Sequence, residues 1–152
     1  MDRSGGKDLS SRRRELFSQL IDTMSQTFPK APAVVLIVED DPLQRMLAVK
    51  LVEDTGFVAL EASDADEAVA LLESRTDIAL LLTGINMPGS MDGLTLAHAV
   101  RDRWPRIRIL VVSGQVWRQQ PDLPPNSRFL PKPYGIEAMV ADLHSLVGSP
   151  GL

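Results

Sequence analysis

From Ala33 onward, short apolar runs rich in β-branched residues alternate with stretches whose apolar residues recur at helical spacing. This alternation, with short connections throughout, restricts the chain to an α/β fold built on a parallel sheet. Val34–Val38 is continuously apolar, as a strand buried on both faces requires. Pro42 opens a helix in which Leu43, Met46, Leu47, Lys50 and Leu51 continue to Thr55, and Gly56 stops it. Phe57–Ala62 is a second, less apolar strand. Ser63 or Asp64 caps the next helix, which carries a single stripe of Ala65, Ala68, Val69 and Leu72. Ile78–Leu82 is a third strand, Ile107–Val112 a fourth and Arg128–Leu130 a short fifth. Between the third and fourth lies a helix over Met91–Trp104, with Leu94, Ala97, Val100 and Trp104 expected to face inward. Ile136–Val147 closes the domain as a helix built on Ile136, Met139, Val140, Leu143 and Val147. One segment breaks the rhythm. Pro121, Pro124 and Pro125 confine any helix in Gln115–Asn126 to about Gln115–Gln120.

With 152 residues and 44% hydrophobic composition, the chain can form one well-developed core. It has no cysteine, which excludes disulfides, thiol catalysis and cysteine-based zinc sites. His98 and His144 stand alone without ligand spacing and read as ordinary surface or packing histidines. No apolar run approaches the ~20 residues of a membrane span, and no signal-peptide pattern opens the chain. A cytoplasmic protein without a membrane contact is expected. The net charge of −4 speaks against direct nucleic-acid binding. That charge is uneven: residues 1–30 carry +2 and the remainder −6.

The N-terminal 32 residues read as an extension, ahead of a domain at 33–148 and a tail at 149–152. Met1–Asp8 has the composition of a disordered segment. From Leu16, an amphipathic helix follows from Leu16, Phe17, Leu20, Ile21, Met24 and Phe28, until Pro29 and Pro32 break it. Two readings stand side by side: a helix that docks or forms a homodimer, or an over-long start ahead of Met24. Arg12-Arg13-Arg14 reads as a solvated helix start, since three charges neutralise few phosphates.

The strand ends carry the chemistry. In a doubly wound sheet the carboxyl ends of the strands share one edge, where ligand groups collect. Here the first strand runs into Glu39-Asp40-Asp41, the third into Gly84, the fourth into Ser113-Gly114, and the fifth into Pro131-Lys132-Pro133-Tyr134. Two like charges ~4 Å apart repel by ~4 kcal/mol at an effective dielectric near 20, so the acidic triplet requires solvation, backbone amides or a cation. A cysteine-free, oxygen-rich cluster suits Mg²⁺. On its own the triplet also reads as a plain helix start, with Asp41 as the cap and Glu39 and Asp40 exposed.

Four motifs in order change that balance: the acidic triplet; Ile85-Asn86-Met87-Pro88-Gly89-Ser90-Met91-Asp92-Gly93; Ser113-Gly114; and Leu130-Pro131-Lys132-Pro133-Tyr134. Together, at these spacings, they resemble the receiver domain of two-component response regulators. The resemblance covers residues 33–147. It implies a flavodoxin-like, doubly wound five-stranded parallel sheet of order 2-1-3-4-5 with helices on both faces. It also implies a non-enzymatic signalling role in a phosphorelay, with a sensor histidine kinase or another signalling protein as partner. The chain ends soon after the last helix, so a stand-alone receiver is expected.

Carried over residue by residue, the resemblance makes Asp40 the main Mg²⁺ ligand, Glu39 a second acid and the Asn86 backbone carbonyl a third ligand. It makes Ser113 and Lys132 the phosphoryl contacts and Phe129 the switch aromatic. Gly84 falls on the phosphoacceptor aspartate. Glycine has no nucleophile, Thr83 should point to the opposite face of the sheet, and Asp92 fits a loop or helix-capping position. Glu39, Asp40 and Lys132 sum to −1 where an aspartate would make −2, so only weak Mg²⁺ binding is expected, and Lys132 can bond the remaining acids. The expected function is protein–protein contact independent of phosphorylation. An ordinary phospho-accepting regulator whose acceptor was replaced at position 84 is the alternative. A phosphatase of the haloacid dehalogenase type is remote, because it needs an aspartate nucleophile where Glu39 stands and acids where Gly114-Gln115-Val116 stand.

Overall fold

The computed structural model describes residues 9–27, 32–114 and 122–148, with side chains described in the first helix over 10–20. The expected short helix at Gln115–Gln120, Phe28 and the tail at 149–152 lie outside these residues. The described residues fall into two units, a helix and a sheet domain.

The first unit is α1, Leu9–Thr27. It begins seven residues earlier than the apolar spacing suggests, so Arg12-Arg13-Arg14 lies within the helix. Arginine is a good helix former, and an apolar stripe marks only the part of a helix with something to bury. Leu16, Phe17 and Leu20 are each more than half exposed.

In the second unit, β1 (Val34–Val38), β2 (Val58–Ala62), β3 (Ile78–Gly84), β4 (Arg108–Ser113) and β5 (Ser127–Pro131) form one parallel sheet. Its order is β2-β1-β3-β4-β5. The helices are α2 (Pro42–Asp54), α3 (Ala65–Ser74), α4 (Gly93–Arg103) and α5 (Ile136–Val147). This is the flavodoxin-like arrangement. The central strands bury both faces, so alternate residues feed two cores. Val34, Leu36, Val38, Leu81, Ile109 and Val111 pack with α3 and α4. Val35, Ile37, Leu80, Leu82, Leu110 and Val112 pack with α2 and α5.

The apolar positions of the helices divide between buried and exposed. On α2 the buried residues are Ala48 and Val52, while Leu43, Met46 and Leu47 are each more than half exposed. The helix carries apolar residues on more than one side, and its small and β-branched side chains approach the sheet. Leu96 joins Ala97 and Val100 in the core of α4, with Leu94 and Trp104 packed partly against it. On α5, Met139 and Leu143 are buried, but Ile136 in the first turn is exposed. β3 reaches Gly84 itself, and β5 is longer at both ends than its apolar residues alone suggest.

Candidate functional site

Strand register brings the sequence motifs to one edge. Val38 pairs with Thr83, Gly84 with Val112, and Ser113 with Pro131. The residues that follow each strand therefore meet at one level. Glu39, Asp40, Asp41, Gln44, Gly84, Ile85, Asn86, Val112, Ser113, Gly114 and Lys132 line a cleft of about 260 Å³. Every expected site residue except Phe129 is in that set. Phe129 lies within β5 opposite Val111, partly buried against the α3–α4 core.

The acidic triplet has three different environments. Asp41 is the N-cap of α2, accepting from the amides of Leu43 and Gln44 at 2.9 and 3.0 Å. Glu39 is largely enclosed; its Oε2 accepts from the Asp41 amide at 3.0 Å, and its Oε1 accepts from Lys132 Nζ at 3.2 Å. Asp40 is exposed, with no protein partner among the described residues. Lys132 Nζ also donates to Gln44 Oε1, so one ammonium ties the end of β5 to both β1 and α2. Its own amide donates to the Ser113 carbonyl at 2.8 Å, and the Lys132–Pro133 peptide is cis. Ser113 is buried and engaged.

Gly84 faces the acids. A Cβ built on it would lie 3.6 Å from Glu39 Oε1, ordinary contact with nothing else close. Gly93 is the opposite case: a Cβ there would fall 1.5 Å from the Gly84 carbonyl oxygen and 2.9 Å from Thr83 Oγ1. The Gly93 amide donates to the Ile85 carbonyl at 2.7 Å, so α4 starts directly against the end of β3. Thr83 is fully buried on that side, its hydroxyl donating to the Gly84 carbonyl at 2.8 Å. Asp92 caps α4 through the Thr95 amide at 2.8 Å.

Two residues were missed from sequence. Gln44 holds Lys132, and Arg45 Nη1 donates to the Glu39 carbonyl at 2.8 Å while its Nε contacts Glu61 Oε1 at 3.3 Å. Their signal is their position in the first turn of the helix that begins at the acidic loop. A larger cleft of about 460 Å³ adjoins the site, with apolar walls that include Leu47, Ala48, Leu82, Val112, Pro133 and Tyr134. Burial pushes the Tyr134 phenol above its ordinary pKa, and the Glu39 charge pushes it further in the same direction.

Of the expected Mg²⁺ donors, Asp40 has a carboxylate with no protein partner among the described residues. Glu39 is already committed to an ammonium and an amide, Gly84 offers no side-chain oxygen, and Asn86 is an exposed loop residue. Among the described residues, no group of three or more His, Asp or Glu could hold a metal ion. No described helix is long and apolar enough to cross a membrane.

With that geometry in hand, the family model described as the response regulator receiver domain matches residues 35–144. The chain belongs to the response regulator receiver family. Sensor kinase CckA of Brucella abortus is 29% identical over 119 residues, covering 76% of this chain and 12% of the kinase. The hydrogenase transcriptional regulatory protein HoxA of Cupriavidus necator is 40% identical over 82 residues, 54% of this chain and 16% of the regulator. This chain therefore spans only a small part of each. Among solved structures, the receiver domain of the hybrid histidine kinase CckA superposes with a TM-score of 0.65 at 29% identity, covering 76% of this chain and 99% of that one. The Vibrio cholerae chemotaxis protein CheY4 superposes at 0.67, with 23% identity and the same coverage, a likeness of fold.

Proposed function

We propose that this receiver domain acts in two-component signalling through protein–protein contact that does not depend on phosphorylation. The observation that carries the reading is Gly84: the residue at the end of β3 that faces Glu39 has no side chain. The chemistry of the family requires a carboxylate there to accept a phosphoryl group from a kinase histidine, with Mg²⁺ offsetting charge. Lys132, bonded instead to Glu39 and Gln44, supports a site resting in one state. Mg²⁺ binding is weak for the same reason, since a metal must compete with a tethered ammonium for Glu39. Ser113 and Phe129 keep the positions of the family's switch residues but have no phosphoryl group to read. The partners we propose are a sensor histidine kinase or another signalling protein, with a second copy of this chain as a further partner. The role is binding, not catalysis.

A specific observation also favours the alternative of an acceptor lost by one replacement: the open space at Gly84 accommodates a Cβ without displacing anything. One experiment tests both readings. After incubation with a small phosphodonor and Mg²⁺, intact-mass measurement should show no stable phosphoryl on the protein as it stands and one on Gly84→Asp. Uptake by the unaltered protein on any residue of this cleft overturns the proposal. A folded Gly84→Asp variant that accepts nothing, from a donor or a kinase, shows that more than one residue has been lost.

A further inference from the structure

A further cavity lies at the opposite edge of the sheet, where β4 and β5 begin, roughly 16 Å from Ser113 along β4. Its volume is about 350 Å³, and it is lined by Arg108, Asn126, Ser127, Arg128, Ser145 and Leu146. Arg108 and Arg128 carry the charge of that lining among the described residues. Their placement follows from the register. Leu110 of β4 pairs with Arg128 of β5, and Leu110 belongs to the core beneath α2 and α5. Side chains alternate along a strand, so Arg108 shares that face with Leu110 and Arg128. Strands about 4.8 Å apart and a step of two residues along β4 set the two Cα atoms roughly 8 Å from each other. Two side chains as long as arginine converge across that span onto one group.

The charge here is not balanced locally. Arg128 Nη1 contacts Asp142 Oδ1 at 3.3 Å, which occupies one nitrogen of a group with five N–H donors. Arg108 has no ion-pair or hydrogen-bond partner among the described residues, although the chain beyond residue 30 carries a net charge of −6. Behind the turn into β5, Arg101 Nη1 donates to the carbonyls of Pro105 and Ile107 at 2.9 and 3.1 Å, and its Nη2 to that of Asn126 at 3.4 Å. Arg101 is therefore bonded to carbonyl oxygens and not to a carboxylate, and its charge adds to that of the cavity. Arg101 Nε and Ser127 Oγ are both buried without a partner among the described residues. Asn126 takes a φ of 62°, a left-handed conformation that Asn tolerates better than most residues. That turn lets Asn126, Ser127 and Arg128 line one cavity in succession.

We infer that this cavity is a binding site for a phosphate monoester. Three guanidinium groups, of Arg101, Arg108 and Arg128, stand against the single carboxylate of Asp142, which leaves a surplus of two positive charges. A phosphate monoester carries about −1.5 to −2 at neutral pH and so matches that surplus. Guanidinium forks bond phosphate oxygens in pairs, through charge-assisted hydrogen bonds about twice as strong as neutral ones. Asn126 and Ser145 add neutral donors. Ser145 and Leu146 belong to the last turn of α5, where carbonyls lack intrahelical partners and accept from hydroxyls on the organic part of an ester. The volume lies near the lower end of the range for small-ligand sites, about 300–1,000 Å³. It admits the phosphate with a few carbons. An apolar ligand gains little from these walls, and a cation is repelled by them. Nothing at Gly84 takes part, since that cleft lies at the other ends of the same strands.

The test is a nuclear magnetic resonance titration of the nitrogen-labelled full chain with glycerol 3-phosphate, in phosphate-free buffer at low ionic strength. Saturable shifts should appear at the amides of Arg108, Asn126, Ser127, Arg128 and Ser145, with a millimolar dissociation constant. Arg108→Gln and Arg128→Gln should each raise that constant about tenfold, the loss of one charge-assisted contact. Arg108→Lys keeps the charge but not the fork and should lose less. Both arginines are exposed, and the dispersion of each variant's spectrum shows that it is folded. A peptide carrying phosphoserine, titrated in the same way, separates two sources of the group. Tighter binding than the small ester assigns it to a protein, and equal or weaker binding to a metabolite. Absence of saturable shifts at these residues up to about 20 mM ester overturns the inference. So do shifts confined to Glu39, Ser113 and Lys132, which would draw the anion to the other edge of the sheet. An affinity unchanged in both glutamine variants overturns it as well.

Discussion

At the scale of single residues, two glycines a short distance apart have opposite reasons to be glycine. Gly84 has room for a Cβ, so packing does not require its smallness. Gly93 has none, because a Cβ would overlap the backbone carbonyl of Gly84. Backbone cannot move aside as a flexible side chain can, and overpacking a tight contact costs about 1–3 kcal/mol or more. Gly93→Ala should therefore lower stability by at least that range in denaturant unfolding, whereas Gly84→Ala should change it little. Equal effects at the two positions would show that α4 does not start against β3 as described. Gly84 stood out in the sequence because its neighbours in motif and spacing were visible, and in the structure it ends β3. It did not distinguish Gly93, because a close approach between a helix start and a strand end is a contact between segments and leaves no pattern of its own.

At the scale of elements, the loop from β5 into α5 couples the acidic cleft to the apolar one. Lys132 reaches into the first, and Tyr134 lines the second within range of the Glu39 charge. Because the folded state raises the phenol's pKa, it holds that proton more tightly than the unfolded chain does. The stabilisation is complete below the ordinary value of 10.0 and is lost as the pH rises from there through the folded value. Stability should fall above pH 10.0 in the unaltered protein, and the fall should be shallower in Tyr134→Phe; identical profiles would remove Tyr134 as the cause. The helices show where sequence reading stops. For α3, one stripe of Ala65, Ala68, Val69 and Leu72 had only one face to offer, and it is the buried face. For α2, apolar residues occupy more than one side, and periodicity does not say which side meets the sheet. Arg45, tied to Glu61 on β2 and to the Glu39 carbonyl, holds the helix with Ala48 and Val52 inward.

At the scale of the whole molecule, the core residues among those described all belong to the sheet domain. A shortened chain beginning at Pro32 should keep a cooperative thermal transition and the far-ultraviolet signature of the sheet domain, losing only the helical signal of α1. Loss of the cooperative transition would show that the domain needs the N-terminal unit to fold. The sequence by itself determined the α/β class, the strand order through its family motifs, and the edge at which Glu39, Gly84, Ser113 and Lys132 gather. These follow because strand period, turn residues and motif order are local or ordered along the chain. Only the tertiary structure decided that Lys132 spends its charge on Glu39 and Gln44, that Gly93 has no room to be anything else, and that α2 leaves Leu43, Met46 and Leu47 in water. Each of those depends on which surfaces meet across the fold, and a side chain's partner in space is set by packing between elements that no single stretch of sequence contains.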